Sequence, residues 1–263
     1  AGQGTIGLEI MEEMSDVDAI VVPIGGGGLI SGVAFAAKKL NPKIKVYGVQ
    51  AAGAPSMYNS IKEGKIIKLD SVNTIADGIK VMEPGENTFK LVSEYVDEIV
   101  TVTEDEISSA ILALIEQQKM IAEGAGAVSV AAVMFNKLPV KGKKVVCVVS
   151  GGNIDVTILS RVIKRGLMNT GRSASLCIEL MDKPGQLEMV SKIIADCGGN
   201  VISVHHERAS EIADINGCYL RLVLETKNFD HIAMIEKALK DNGFNSNTAY
   251  CIRMMAEDHW HTG

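Results

Sequence analysis

The sequence lacks a basic excess, a cysteine framework and any long apolar run, and each absence excludes a class of function. Its 263 residues carry a net charge of −6 with mixed signs and no basic stripe, which argues against a nucleic-acid partner. No apolar run approaches membrane-spanning length, and no signal peptide is recognisable. We therefore expect a cytoplasmic protein with no membrane partner. The length and the 47% hydrophobic content are sufficient for two domains.

The cysteines and histidines also lack the spacing of a disulfide framework or a zinc site. The five cysteines are an odd number, lie far apart and form no CxxC pair. They are typical of reduced core thiols in a cytoplasmic protein. The five histidines show no metal-ligand spacing tied to the cysteines. The sequence therefore predicts no metal site.

The most informative stretch is a run of four glycines between a strand and a helix. Residues 20–24 are apolar and β-branched, which is typical of a buried parallel strand, and residues 29–40 have helical composition. Glycines at a helix N-terminus offer an anion bare backbone N–H groups and the positive end of the helix dipole. We predict a phosphate site at residues 25–28. The alternative is a tight strand–helix turn without a ligand.

The flanking residues exclude two other kinds of phosphate loop. A Walker loop would need Gly-Lys-Ser/Thr, but Leu29-Ile30-Ser31 follows the glycines. The dinucleotide pattern at residues 2–7 has no strand before it and no acidic residue about 20 positions beyond it. A second strand, residues 143–149, ends in Ser150. Because ligands bind at the carboxyl ends of parallel strands, we expect Ser150 to face the same crevice as the glycine loop.

Four motifs, taken together and in this order, resemble the threonine/serine dehydratases. They are Pro-Ile-Gly-Gly-Gly-Gly-Leu at 23–29, Thr-Ile-Ala-Asp-Gly at 74–78, Glu-Gly-Ala-Gly-Ala at 123–127 and Ser-Gly-Gly-Asn at 150–153. Those enzymes use pyridoxal phosphate and have the tryptophan-synthase-β fold type. The resemblance implies a set of cofactor-binding residues: Gly25, Gly26, Gly27, Gly28, Leu29, Gly78, Glu123 and Ser150. An ordinary surface carboxylate is the alternative for Glu123.

The resemblance implies β-elimination from L-threonine, giving 2-oxobutyrate and ammonia, and from L-serine, giving pyruvate. Pyridoxal phosphate acts as an electron sink, and a serine hydroxyl at the pyridine nitrogen leaves that sink weak enough to suit elimination. The family's Schiff-base lysine lies in a Ser-Phe-Lys-x-Arg-Gly motif, and its carboxylate loop is Ser-x-Gly-Asn-His. Neither motif occurs here. We expect no catalytic residue in this chain, which looks like the C-terminal portion of a dehydratase and should be inactive alone.

Serine racemase is an alternative within the same resemblance. Some relatives bind a divalent cation through acidic residues at the positions that match Gln50 and Ser56, since hard cations prefer carboxylate oxygens. Both acids are absent here. The resemblance therefore implies no metal at this position, and it disfavours the racemase.

The pattern changes after residues 166–173, which look like a linker. We predict a βαββαβ unit with a hairpin at Asn216-Gly217. Its elements are a strand at 174–181, a helix at 187–197, strands at 201–208 and 218–225, a helix at 229–242 and a strand within 245–253. Leu187 is expected to face inward. This arrangement resembles an ACT domain, an amino-acid-sensing module with an α+β ferredoxin-like fold.

The ACT resemblance implies a set of effector-binding residues: Asp182, Gly185, Gln186, Leu187, Asn200 and Val201. The effector would be isoleucine or valine, or a nucleotide, and the protein would be a homodimer or homotetramer. The alternatives are a scaffold used only for oligomerisation, or a chain whose main role is regulation.

The expected fold class is thus α/β, followed by the α+β unit. A parallel sheet with flanking helices occupies residues 1–167, as part of a pyridoxal-phosphate domain. A linker at 168–173, the ACT domain at 174–253 and a tail at 254–263 without an assigned role complete the chain. Within the first part, Thr103 and Glu106 predict a capping box for a helix that runs to about Met120.

Overall fold

Stretches rich in β-branched residues form a parallel sheet in the computed structural model, which describes residues 2–208 and 217–247. The strand order is β3-β2-β1-β4. The strands are β1 (Ala19–Pro23), β2 (Lys45–Ala51), β3 (Glu98–Val102) and β4 (Val145–Cys147). All five residues of β1 are buried, which explains its uninterrupted apolar sequence. The chain divides after Gly166 into two units, of which the first contains this sheet.

Helices cover both faces of the sheet. They are α1 (Gly4–Glu13), α2 (Gly28–Leu40), α3 (Ser56–Glu63), α4 (Glu86–Tyr95), α5 (Glu104–Ala113), α6 (Gly124–Met134) and α7 (Val156–Asn169). Ile20 and Val22 belong to an apolar cluster with residues of α2 and α4, whereas Val21 belongs to one with residues of α5 and α6. Alternate residues of β1 therefore face opposite helix layers. The predicted α/β class is confirmed.

The predicted capping box is present at the start of α5. The Thr103 hydroxyl accepts a hydrogen bond from the Glu106 N–H at 3.3 Å, and the Glu106 carboxylate accepts one from the Thr103 N–H at 2.8 Å. The helix predicted to run to about Met120 continues beyond Ala113, the last residue of α5, as a π-helix over Leu114–Gln118, so its predicted end lies two residues beyond the observed one.

The second unit has the element order βαββαβ. Its elements are β5 (Ser173–Met181), α8 (Gln186–Asp196), β6 (Asn200–Arg208), β7 (Gly217–Glu225), α9 (Phe229–Asp241) and β8 (Asn245–Asn247). The strands form an antiparallel sheet with the order β6-β7-β5-β8. Alternate residues such as Leu176, Ile178 and Leu220 form a core with α8 and α9.

Some predicted boundaries differ from those observed. α7 extends to Asn169 and β5 begins at Ser173, so the predicted linker 168–173 is reduced to three residues. Leu187 is 42% exposed, although it shares a helix face with the buried Val190 and Ile194, because it lies in the first turn of α8 at the end of that face. Asn216 of the predicted hairpin, the end of the last strand and the tail 254–263 lie outside the described residues. Among the helices in the described part of the chain, none is long and apolar enough to span a membrane.

Candidate functional site

The glycine loop connects the carboxyl end of β1 to the first turn of α2. Gly27 has φ +92°, a left-handed conformation, and a Cβ on it would lie 2.7 Å from Cε of Met57. The hydroxyl of Thr88, in α4, donates a hydrogen bond to the carbonyl of Gly26 at 2.5 Å. The loop is therefore held in one shape. Sequence reasoning missed Thr88, because no local signal links residues 62 positions apart.

Two glycines of the loop leave bare backbone facing open space. A Cβ on Gly28 would have no neighbour within 4 Å, and one on Gly26 would meet only Cγ1 of Val81 at 4.0 Å. Packing within the described residues therefore does not require glycine at either position. An anion that approaches the backbone N–H groups at a helix N-terminus does require it. The side chain of Leu29, by contrast, packs against the apolar cluster beneath the loop.

The second motif lies directly against the glycine loop. A Cβ on Gly25 would lie 3.1 Å from Cα of Ile79 and 3.4 Å from the carbonyl oxygen of Gly78. Gly78 in turn lies beside Glu123 of the third motif, whose Oε1 would be 2.8 Å from a Cβ on Gly78. Gly78 and Glu123, which the sequence places in separate motifs, are thus neighbours.

The third motif, residues 123–127, also contacts the fourth, residues 150–153. The Glu123 N–H donates a hydrogen bond to the carbonyl of Gly151 at 3.2 Å. A Cβ on Gly126 would lie 2.6 Å from the carbonyl oxygen of Ser150. β4 runs beside β1, and the Val148 N–H donates to the Val21 carbonyl at 2.9 Å, so Ser150 follows the end of β4 on the same side of the sheet as the glycine loop. All four motifs therefore assemble at the carboxyl ends of neighbouring strands.

Cys147 lies close to Ser150 in sequence but is unsuited to be a nucleophile. Burial raises the pKa of its thiol to about 11. Its Sγ donates a hydrogen bond to the carbonyl of Ser129 at 3.7 Å. Because the thiolate is the reactive form, a protonated, buried thiol at neutral pH is inert.

Gln50 and Ser56 are structural residues in this chain. The Gln50 side chain is fully buried; its Oε1 accepts a hydrogen bond from the Tyr58 N–H at 2.8 Å, and its Nε2 donates to the Ile24 carbonyl at 3.3 Å. Ser56 is the first residue of α3 and is also fully buried. Neither side chain is a carboxylate, so both positions lack the oxygen ligands that hard cations prefer. The Gln50 amide instead supports the backbone just before the glycine loop.

The residues predicted to bind an effector do not meet within one chain. Asp182, Gly185, Gln186 and Leu187 lie after β5, whereas Asn200 and Val201 begin β6 at the opposite end of the sheet. Eight residue steps of β5 separate the two ends, about 26 Å at 3.3 Å per residue. The Asn200 amide donates to the Glu225 carboxylate at 3.2 Å, and Val201 packs against the core.

The chain belongs to the family of pyridoxal-phosphate dependent enzymes, which it matches over residues 1–151. The L-threonine ammonia-lyase of Thermotoga maritima is 52% identical over 244 residues, covering 93% of this chain and 61% of that protein. The processed form of threonine deaminase isoform 2 from Solanum lycopersicum has a TM-score of 0.59 and 41% identity, over 62% of this chain and 48% of that chain. A serine racemase from Dictyostelium discoideum has a TM-score of 0.55 and 44% identity; the match covers 59% of this chain and 50% of that chain.

These likenesses confirm the predicted family and its dependence on pyridoxal phosphate. The chain spans 61% of the length of the Thermotoga relative. That likeness covers 244 residues, more than the first unit alone provides, so it includes part of the second unit. The bare glycine backbone at the N-terminus of α2 fits the phosphate of such a cofactor.

Proposed function

We propose that the chain is part of a threonine ammonia-lyase that converts L-threonine to 2-oxobutyrate and ammonia, and L-serine to pyruvate and ammonia. The observation that carries the proposal is the assembly of four distant motifs around the glycine loop at the carboxyl ends of β1 and β4. The names of the Thermotoga and Solanum relatives support this choice of reaction.

The proposed roles follow from the position of each motif. The backbone N–H groups of residues 25–28 and the N-terminus of α2 hold the cofactor phosphate, while Thr88 fixes the loop. Bound pyridoxal phosphate supplies an electron sink for the carbanion at the substrate Cα. The Ser150 hydroxyl, just after the end of β4, would donate a hydrogen bond to the pyridine nitrogen. Glu123 positions the segments that carry Gly78 and Ser150, because it contacts both.

The proposal also holds that these 263 residues do not complete the reaction alone. The lysine motif Ser-Phe-Lys-x-Arg-Gly and the carboxylate loop Ser-x-Gly-Asn-His are both absent from them. Proton transfer at the substrate Cα therefore lacks its base, and the substrate carboxylate lacks its loop.

Release of 2-oxo acids from L-threonine and L-serine tests this proposal. The assay compares the 263-residue chain with the longest natural polypeptide that contains it, with and without pyridoxal phosphate. We expect 2-oxobutyrate from the longer protein only when the cofactor is present, and none from the chain alone. Turnover by the chain alone would overturn the proposed incompleteness, and a longer protein without oxo-acid release would overturn the reaction.

Serine racemase is the second candidate, because a Dictyostelium serine racemase is 44% identical over the matched region. The oxygen and the nitrogen of the buried Gln50 amide both form hydrogen bonds to the backbone, which argues against the cation site that some racemases use. Chiral chromatography of the same reaction mixtures separates the candidates. D-serine formed from L-serine without oxo acid would favour the racemase.

We also propose that the second unit is an ACT-type regulatory domain of a cytoplasmic homodimer or homotetramer, with isoleucine, valine or a nucleotide as effector. Its βαββαβ order and its sheet order support the ferredoxin-like class. Because Asp182 and Asn200 lie at opposite ends of the sheet, a small effector can contact both only between two copies.

Complementation between variants tests the two-copy site. Calorimetry with isoleucine, valine and ADP, in buffer containing EDTA, is carried out on Asp182→Asn, on Asn200→Ala and on their mixture. We expect each variant alone to bind no effector and the mixture to recover part of the sites, because a mixed dimer contains one intact pair. No recovery in the mixture, or no heat from the unmodified chain, would contradict the proposal.

A further inference from the structure

Three side chains with different metal-binding atoms meet at one end of the second unit. They are Asp182, His206 and Cys218. A carboxylate oxygen, a ring nitrogen and the sulfur all lie within 4.8 Å of one another. His206 lies 24 positions after Asp182 and 12 before Cys218, so the sequence shows no short metal-binding motif at these residues.

The strand register is the reason that they meet. β7 runs between β5 and β6, with Cys218 opposite Leu180 on one side and Leu220 opposite His206 on the other. Residues two apart on a strand share a face, so His206 projects on the same face as Cys218. Asp182 immediately follows the last residue of β5, at the rim of that face.

The donor set is typical of a zinc-class metal. Sulfur, imidazole nitrogen and one carboxylate oxygen suit zinc, cobalt or nickel, whereas calcium and magnesium prefer oxygen ligands alone. Metal–ligand bond lengths place sulfur and nitrogen about 3.5 Å apart in a tetrahedral site, so atoms that lie within 4.8 Å of one another need to approach by at most about an ångström. Cys218 is 1% exposed and belongs to the core, whereas the side chains of Asp182 and His206 are exposed.

We propose that Asp182, His206 and Cys218 bind one divalent transition-metal ion, with a fourth position open to water or to a small amine or carboxylate. Binding requires a neutral imidazole and a thiolate, so the Cys218 proton is released to solvent as the metal–sulfur bond forms. The proposal replaces the expectation of no metal site, and it is independent of the proposed elimination reaction.

Cobalt titration of the 263-residue chain tests the site directly. Cobalt(II) replaces zinc in such sites and gives a near-ultraviolet charge-transfer band only when a thiolate is bound. We expect one equivalent of cobalt to produce this band at neutral pH, and zinc to displace it. The band should disappear in Cys218→Ser. His206→Ala should weaken binding by about tenfold or more, since losing a ligand costs at least as much as losing a residue that supports one.

Matched controls separate this site from other ligands in the chain. His205 is the neighbour of His206 on β6, pairs with Arg221 and faces the other side of the sheet, so His205→Ala should leave the titration unchanged. The double variant His259→Ala/His261→Ala removes the histidines of the C-terminal tail. Circular dichroism confirms that each variant is folded. A band that survives Cys218→Ser, or binding that is lost only with the tail histidines, would overturn the proposal.

Discussion

At the scale of single residues, Glu123 emerges as the side chain that joins the motifs of the site. A Cβ on either Gly78 or Gly151 would clash with the Glu123 carboxylate. The Glu123 N–H donates a hydrogen bond to the Gly151 carbonyl. The Glu123 side chain occupies the space that a side chain at either position would need, which accounts for glycine there. Glu123 in turn connects the two segments that contain these glycines.

Gly151 and Gly142 provide a matched test of this packing. Both have positive φ, +91° and +74°, but a Cβ on Gly142 meets nothing within 4 Å whereas one on Gly151 meets the Glu123 carboxylate. We expect Gly142→Ala to lower the free energy of unfolding by about 1 kcal/mol from backbone strain alone. Gly151→Ala should lower it by about 1 kcal/mol more, at the low end of overpacking costs, because the half-buried Glu123 carboxylate can shift.

Urea denaturation measures both changes. Adding Glu123→Ala to Gly151→Ala should recover most of the excess loss, because it removes the clashing carboxylate. Equal losses for the two glycine variants would contradict the packing role of Glu123.

The positions of several candidate site residues could be predicted from the sequence because their signals are local. The glycine run after a buried strand and Ser150 at the end of another strand are examples, since parallel strands bring their carboxyl ends together. Thr88 and the cluster of Asp182, His206 and Cys218 could not be predicted, because only strand register and helix packing bring these side chains to their partners.

At the scale of elements, local chemistry determines some boundaries and packing determines others. β5 was predicted with its observed end and within one residue of its observed start, and the capping box at Thr103 correctly predicted the start of α5. The short, polar helix α3 was not predicted, because its sequence lacks an apolar repeat long enough to be recognised. The change from α-helix to π-helix at Leu114–Gln118 also has no local sequence signal.

Asp97 connects several elements of the first unit and makes its stability depend on pH. Burial alone would raise the pKa of Asp97, but hydrogen bonds from Lys38, Lys45 and the Val46 N–H outweigh it and lower the pKa below its usual 3.8. A carboxyl group whose pKa is lower in the folded state stabilises the fold above its unfolded pKa. That stabilisation is lost as the pH falls through the folded value.

Asp97→Asn should therefore destabilise the chain by about 1–2 kcal/mol at pH 7, a modest value because the side chain is 18% exposed. The difference from the unmodified chain should shrink below about pH 4. Asp16→Asn is the control, because Asp16 pairs with Lys144 on the exposed surface and the substitution should have no measurable effect. Urea denaturation between pH 7 and pH 3 checks both. A pH-independent difference for Asp97→Asn would contradict this account.

At the scale of the whole molecule, each of the two units has its own set of candidate ligand residues. The first unit provides the glycine loop, Glu123 and Ser150. All of these lie within residues 1–151, which match the family of pyridoxal-phosphate dependent enzymes. The second provides Asp182 at one end of its sheet and Asn200 at the other. The linear ACT-like signature could not reveal this separation, because it does not contain the direction of the strands.

The central claim is that the bare backbone of residues 25–28 holds the cofactor phosphate, and Gly28→Ala tests it most directly. A Cβ at Gly28 has open space and lies in the first turn of α2, so alanine should raise the free energy of unfolding by about 0.5 kcal/mol. The same methyl group should obstruct the phosphate and weaken binding of pyridoxal phosphate to the 263-residue chain. Binding of phosphate-free pyridoxal should not change.

Fluorescence titration with both compounds gives the decisive comparison, with stability measured by urea denaturation of the same samples. The account predicts a variant that is more stable yet binds pyridoxal phosphate about tenfold or more weakly, a loss of about 1.4 kcal/mol. Unchanged binding of pyridoxal phosphate by a folded Gly28→Ala chain would contradict the claim.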